Sequence, residues 1–316
     1  MGTGVFSGGA LAAVTIFAIV APQPHPPMHE WHLLEGKYWQ IASPNAEDVA
    51  TTDTLEGTRG PCLPGMVTVS GRMKYGGWGY GDRVETLQDT TCVEWSKEGS
   101  PARCERFDRA RWLAISQSLP TQPMGFCIDR YEYPDLRGAN PWIMVTWVEA
   151  KALCGRSSKR LCTEAEWTFA CEGEEALPYP YGYERNSEAC VVDRPWRTVD
   201  AKALTPRDSS HAKTAIDTLW QGEESGSRPL CKSPFGVYDT VGNVDEWTKS
   251  SVAGERPSIL KGGYWAPVRD RCRPATRAHG EDFSFYQQGF RCCADTPSAQ
   301  VSSSVAPGPL REPANP

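Results

Sequence analysis

The side chains best placed by type and spacing to do chemistry lie in one stretch, FGVYDTVGNVDEW, at 235–247. It sets Asp239, Asp245 and Glu246 around a Gly242–Asn243 turn, with Phe235, Tyr238 and Trp247 as its apolar part. Such a turn can aim backbone carbonyls inward while the acids supply charge, which suits a hard cation such as calcium with its six to eight oxygen ligands. The plainer alternative is that the acids cap and solvate the turn. A second acidic stretch, RLCTEAEW at 160–167, offers Glu164 and Glu166. Two apart on a helix, they do not face one site, and they read as a cap and a macrodipole partner rather than as paired acid catalysts. His29 and His32 stand one turn apart without a third ligand at a defined spacing, while His211 and His279 are isolated.

The chain has twelve cysteines, none in the paired spacing of a zinc finger. An even number at scattered positions reads as disulfides formed in an oxidising compartment. Cys92 and Cys104 share one polar region and can staple it; Cys190 and Cys231 bracket an irregular excursion, 187–230, and can close it. Residues 5–21 are apolar and uncharged and run into the break PQPHPP at 22–27, so 1–27 reads as a signal peptide or a membrane anchor. Both features place the chain outside the cytoplasm, in the periplasm, the cell envelope or the medium. A net charge of −6 argues against a nucleic-acid partner, which would need a basic face.

These groups must be held by a loop-rich scaffold, given 29 Gly and 26 Pro. Residues 28–60 read as a linker that opens with a short amphipathic helix over 28–41. The folded unit spans 61–296, and the Ser/Pro/Ala-rich tail 297–316 is expected to be disordered. Strands are expected from Met66, over 125–133 and over 258–265. Helices are expected after the capping boxes Thr146–Glu149 and Thr163–Glu166, the first stopping near Gly155. The Gly-aromatic run KYGGWGYGD at 74–82 reads as a turn, since no strand-then-helix pattern flanks it.

Seven pieces, VTWVEAKALC, RLCTEAEWTFACEG, YPYG, FGVYDTVGNVDEW, KGGYW, RPATR and GFRC, occur in one order between 125 and 295. Together they resemble the formylglycine-generating enzyme, or sulfatase-modifying factor, family, and CLPGMVTVSG from Cys62 resembles its opening strand. The resemblance implies an irregular α+β fold of the C-type-lectin-like kind, stapled by disulfides. It implies Cys154–Cys292 and a partner for Cys171 near Pro274, for which Cys272 is close enough. It implies calcium on the side chains of Asp239 and Glu246 and the carbonyls of Gly242 and Val244. A second family calcium site falls near Cys190 and Val191, where Cys190 replaces the expected Asn.

The family's oxidation of a substrate cysteine uses copper held by two cysteines, since soft thiolates suit Cu(I). Between Gly262 and Arg277 this chain has one, Cys272; Tyr264 stands for the family's active-site Ser and Asp245 for its Trp. Copper and the oxidase activity are therefore not expected. The expected function is binding of a peptide or protein in the family's groove, lined by the 74–82 loop and by Tyr264, Trp265 and Arg269, with Arg271 and Arg273 adding a cationic surface. The competing readings are an oxidoreductase of the superfamily with a non-standard metal site, and a structural partner in an envelope complex.

Overall fold

The computed structural model describes residues 29–44, 46, 61–96 and 102–296; the expectations for 1–27 and 297–316 fall outside them. Residues 31–41 are not a helix. They form an antiparallel hairpin of β1 (Trp31–Leu34) and β2 (Tyr38–Ile41). Glu35 and Gly36, two of the three residues between the strands, both take left-handed backbone, φ 52° and 66°, which matches the twist of a hairpin turn and breaks a helix. Nor is the hairpin linker: Trp31, Trp39 and Ile41 are buried with Ile143, Leu219 and Trp220.

The chain continues through β3 (Met66–Lys74), α1 (Arg83–Asp89), β4 (Cys92–Trp95), β5 (Cys104–Phe107), α2 (Arg109–Ser116) and β6 (Thr121–Asp129). Then follow α3 (Trp147–Arg156), β7 (Arg160–Leu161), α4 (Glu164–Glu172) and α5 (Ser210–Leu219). The end of the fold is all strand: β8 (Asp245–Lys249), β9 (Ser258–Lys261), β10 (Ala275–Thr276), β11 (Gln288–Phe290) and β12 (Cys292–Asp295). Helix α1 does follow the 74–82 loop, contrary to expectation. Its start is closed to a phosphate, because the Asp82 carboxylate already accepts the Val84 and Glu85 amides.

Two four-stranded sheets carry the core. One is antiparallel in the order β3-β6-β12-β7; the other runs β10-β9-β8-β11, with β11 parallel to β8. A single residue, Arg291, separates β11 from β12 and carries the chain from one sheet to the other. The next two residues, Cys292 and Cys293, face opposite sides of β12, as strand neighbours must. They therefore take different partners, Cys154 on α3 and Cys162 beyond β7. The other bridges are Cys62–Cys127, Cys92–Cys104, Cys171–Cys272 and Cys190–Cys231, so every cysteine is paired. Six disulfides are what an oxidising compartment supports. Among the described residues, no helix is long and apolar enough to cross a membrane.

Both capping boxes form. Thr146 and Glu149 exchange hydrogen bonds at the start of α3, and Thr163 and Glu166 do so at the start of α4. Helix α4 is buried along nearly its whole length, so its first turn cannot fall back on water. Thr163→Ala should therefore cost about 1 kcal/mol, read as a shift in the urea midpoint with an unchanged slope.

Candidate functional site

The 239–247 stretch enters β8 through three left-handed residues: Asp239 (φ 56°), Gly242 (φ 79°) and Asn243 (φ 52°). Glycine is required at 242, because a Cβ there would lie 2.3 Å from the Val191 carbonyl oxygen. The turn presents Asn243 and the Val244 amide to Glu132, a carboxylate that the sequence reading did not single out. Asn243 Nδ2 donates to Glu132 Oε2 at 2.7 Å, Ser225 Oγ donates to the same oxygen at 2.8 Å, and the Val244 N–H reaches Oε1 at 3.2 Å. Asp239 accepts the Gly226 N–H at 2.6 Å. Glu246 gives both oxygens to Arg291, at 2.6 and 2.7 Å, and Oε2 also accepts the Trp167 indole N–H.

Glu132, Asp239 and Glu246 are all buried, and Arg291 is the buried guanidinium set among them. Burial, then the charges of Asp239 and Glu246, push the Glu132 carboxyl well above its ordinary range. Burial pushes Asp239 up to about 7, against the Gly226 hydrogen bond and the charge of Arg291. Three carboxylates against one guanidinium leave a surplus of negative charge when all are ionised. Carboxylate oxygens are the donors a hard cation such as calcium takes, but here they are already engaged: Asp239 accepts the Gly226 N–H and Glu246 gives both oxygens to Arg291. Of the four residues expected as calcium ligands, Asp239, Gly242 and Val244 share the turn, while Glu246 is already committed to Arg291. Among the described residues, no three His, Cys, Asp or Glu side chains come together as a metal site by themselves. Cys190, at the second expected calcium position, is bonded to Cys231.

The residues expected in the groove separate. Trp265 does not line it: it is 1% exposed and packs against Trp220, Tyr264 and Tyr286. Tyr264 is buried as well, but its ring meets Trp196, which is 56% exposed. Arg269 pairs with Asp245, the residue that follows the turn into β8. Arg271 pairs with Asp89 at 2.7 Å and approaches Glu85 at 3.6 Å. Arg273 is buried between Glu172 and Asp82, so the cationic surface drawn through it does not exist. Glu164 and Glu166 also go apart, the first to Arg277 and the second to Arg160.

Arg269 opens instead onto a cavity under the β4–β5 hairpin, shared with Arg103, Arg185, Arg271 and Trp95. Trp95 is 47% exposed. Nothing in the sequence reading pointed to this hairpin beyond its two cysteines, because its approach to residues 264–271 is a contact across 160 positions and more. The bond from Arg103 Nη1 to the Pro267 carbonyl shows it.

Residues 92–296 match the family model described as the sulfatase-modifying factor enzyme 1-like domain. A protein of Bos taurus named inactive C-alpha-formylglycine-generating enzyme 2 is 28% identical over 195 residues, covering 58% of either chain. The Bos taurus formylglycine-generating enzyme is 28% identical over 218 residues, 58% of this chain and 50% of that one. The chain thus spans between half and three fifths of the length of these relatives. Among solved structures, that of CarF matches with a TM-score of 0.45 at 15% identity, covering 73% of this chain and 97% of the other.

Proposed function

Since the chain belongs to the sulfatase-modifying factor family, we propose that it is a non-catalytic member, exported to the periplasm, cell envelope or medium, that binds a peptide or protein segment. The observation that carries this reading is the segment Tyr264–Cys272. The family's oxidation needs two thiolates there, and this segment offers an Arg269–Asp245 ion pair and a Cys272 sulfur bonded to Cys171. Cu(I) binding by two thiolates has no thiol to use.

Binding is supported by two half-exposed tryptophans beside that segment. Trp95 lines the cavity with Arg269, and Trp196 meets Tyr264. Large exposed aromatics are costly to leave in water and are the residues that dominate binding surfaces. Trp95→Ala and Trp196→Ala should each weaken a peptide selected from a displayed library by about tenfold or more. Full affinity in the double variant would remove the binding site from this face. Oxidation of a cysteine peptide by the copper-treated chain, followed as a mass change, would instead favour an oxidoreductase with a non-standard metal site.

Calcium at Asp239, Gly242, Val244 and Glu246 would be structural, offsetting the surplus buried charge and fixing the entry to β8. Mass spectrometry of chain purified without chelator should then find one calcium, and a chelator should lower the melting temperature.

A further inference from the structure

The cavity under the β4–β5 hairpin has a volume of about 210 Å³. Its wall carries four guanidinium groups, those of Arg103, Arg185, Arg269 and Arg271, against two carboxylates, Glu85 and Asp89. Both of those acids are turned toward Arg271. The acids that hold Arg185 and Arg269, namely Asp193, Asp270 and Asp245, do not line the cavity. Arg185 spends three of its N–H···O bonds on Asp193 and Asp270, all at 2.7 Å. Arg269 differs: one Nη reaches Asp245, while its Nε–H is buried with no acceptor. A buried donor without an acceptor bears its full desolvation cost, more than a made hydrogen bond contributes net. Of the Arg269 guanidinium that lines the cavity, only one Nη is held by the chain's own acid, so its free edge is left for an acceptor that arrives with a ligand. Trp95 supplies an apolar surface on the same wall.

We propose that this cavity takes the carboxylate of an acidic side chain, Asp or Glu, from the bound peptide segment, with the edge of the Arg269 guanidinium not held by Asp245 as the donor and Trp95 against the aliphatic stem. The proposal rests on the binding reading above and names the class of segment. A guanidinium presents its donors in a plane and matches a carboxylate better than a point charge does. Glu therefore binds where the isosteric, uncharged Gln does not.

The test uses the full native chain, labelled with nitrogen-15, so the comparison of peptide affinities needs no variant. The blocked peptide acetyl-Gly-Glu-Gly-amide is titrated while the arginine Nε–H resonances are followed, with Arg269→Lys assigning the one that disappears. The Glu peptide should shift that resonance saturably, and acetyl-Gly-Gln-Gly-amide should bind about tenfold more weakly or worse. Equal binding of the two peptides, or an Arg269 resonance that does not move, overturns the proposal. Acetyl-Gly-Gly with a free carboxyl end separates the sources: if it binds and the Glu peptide does not, the site reads a chain terminus and the acidic-side-chain assignment fails. Library-selected peptides that need Trp95 but carry no acid would sink this inference and leave the binding reading standing. The absence of any Trp95-dependent peptide would sink both.

Discussion

Arg291→Met should destabilise the fold by about 3–5 kcal/mol, the usual cost of removing one partner of a buried ion pair. The estimate starts from Glu246, which gives both oxygens to Arg291 and has only the Trp167 indole besides. Glu132 and Asp239 lie close enough to feel the same guanidinium, so its loss leaves Glu246 without a counter-charge beside two further buried acids. Chemical denaturation gives the answer directly. A loss under about 1 kcal/mol would mean that the cluster is already neutralised, by protons on its acids or by a bound cation. The double variant Glu246→Gln/Arg291→Met should recover part of the loss, since it removes one of the uncompensated charges.

The same cluster gives a pH test of calcium with a definite sign. Asp239 sits at about 7 in the folded chain, above its ordinary 3.8, so the folded state holds the proton more tightly. Its contribution to stability is then greatest below about pH 4 and is lost as pH rises to about 7. Asp239→Asn removes that penalty and keeps an oxygen for the Gly226 N–H. The variant should match the native chain near pH 4 and exceed it in stability by pH 7. Calcium on Asp239 would hold the carboxylate ionised and reverse the trend, making the native chain the more stable one at pH 7. Comparing the two proteins in chelator and in millimolar calcium separates the cases.

What could be read from sequence follows the range of the interaction. The two capping boxes are patterns of four residues, and both helices begin where those patterns lie. The fold class came from seven collinear pieces rather than from any one of them. The hairpin at 31–41 reads as a helix because its aromatic and aliphatic residues satisfy either period over so short a run, and the Glu35–Gly36 turn that decides the matter has no strong sequence mark. Helix α5 is hidden in the sequence although Ser209 caps it and Ala212, Ile216 and Leu219 follow at helical spacing, because the surrounding polar excursion masks the stripe. The site was harder still. Glu132, the hairpin's Trp95 and the fate of each arginine are set by contacts between distant segments. A run such as RDRCRPATR at 269–277 looks like a basic surface until the structure supplies Asp245, Asp89, Glu172 and Glu164.

The Cys171–Cys272 bridge carries the other large expected effect. It ties the buried α4 to the segment that leads into β10, closing a loop of 101 residues. Because Cys162–Cys293 already ties the flanking segments, the loop this bridge closes is effectively shorter and contributes about 3–4 kcal/mol in the chain-entropy account, and both sulfurs sit in the core with Trp167 and Phe169. Cys171→Ala with Cys272→Ala should lower stability by about that amount, measured by urea denaturation under oxidising conditions. The single variant Cys171→Ala asks the functional question. It frees one thiol at position 272, buried among apolar side chains, where a thiolate is disfavoured, and it supplies no second sulfur. Copper should therefore bind it no better than it binds the native chain, and cysteine peptides should stay unoxidised. A gain of peptide oxidation in that variant would show that a staple masks the reactive centre, and the chain would then be an oxidase held in check by a disulfide rather than a binding module.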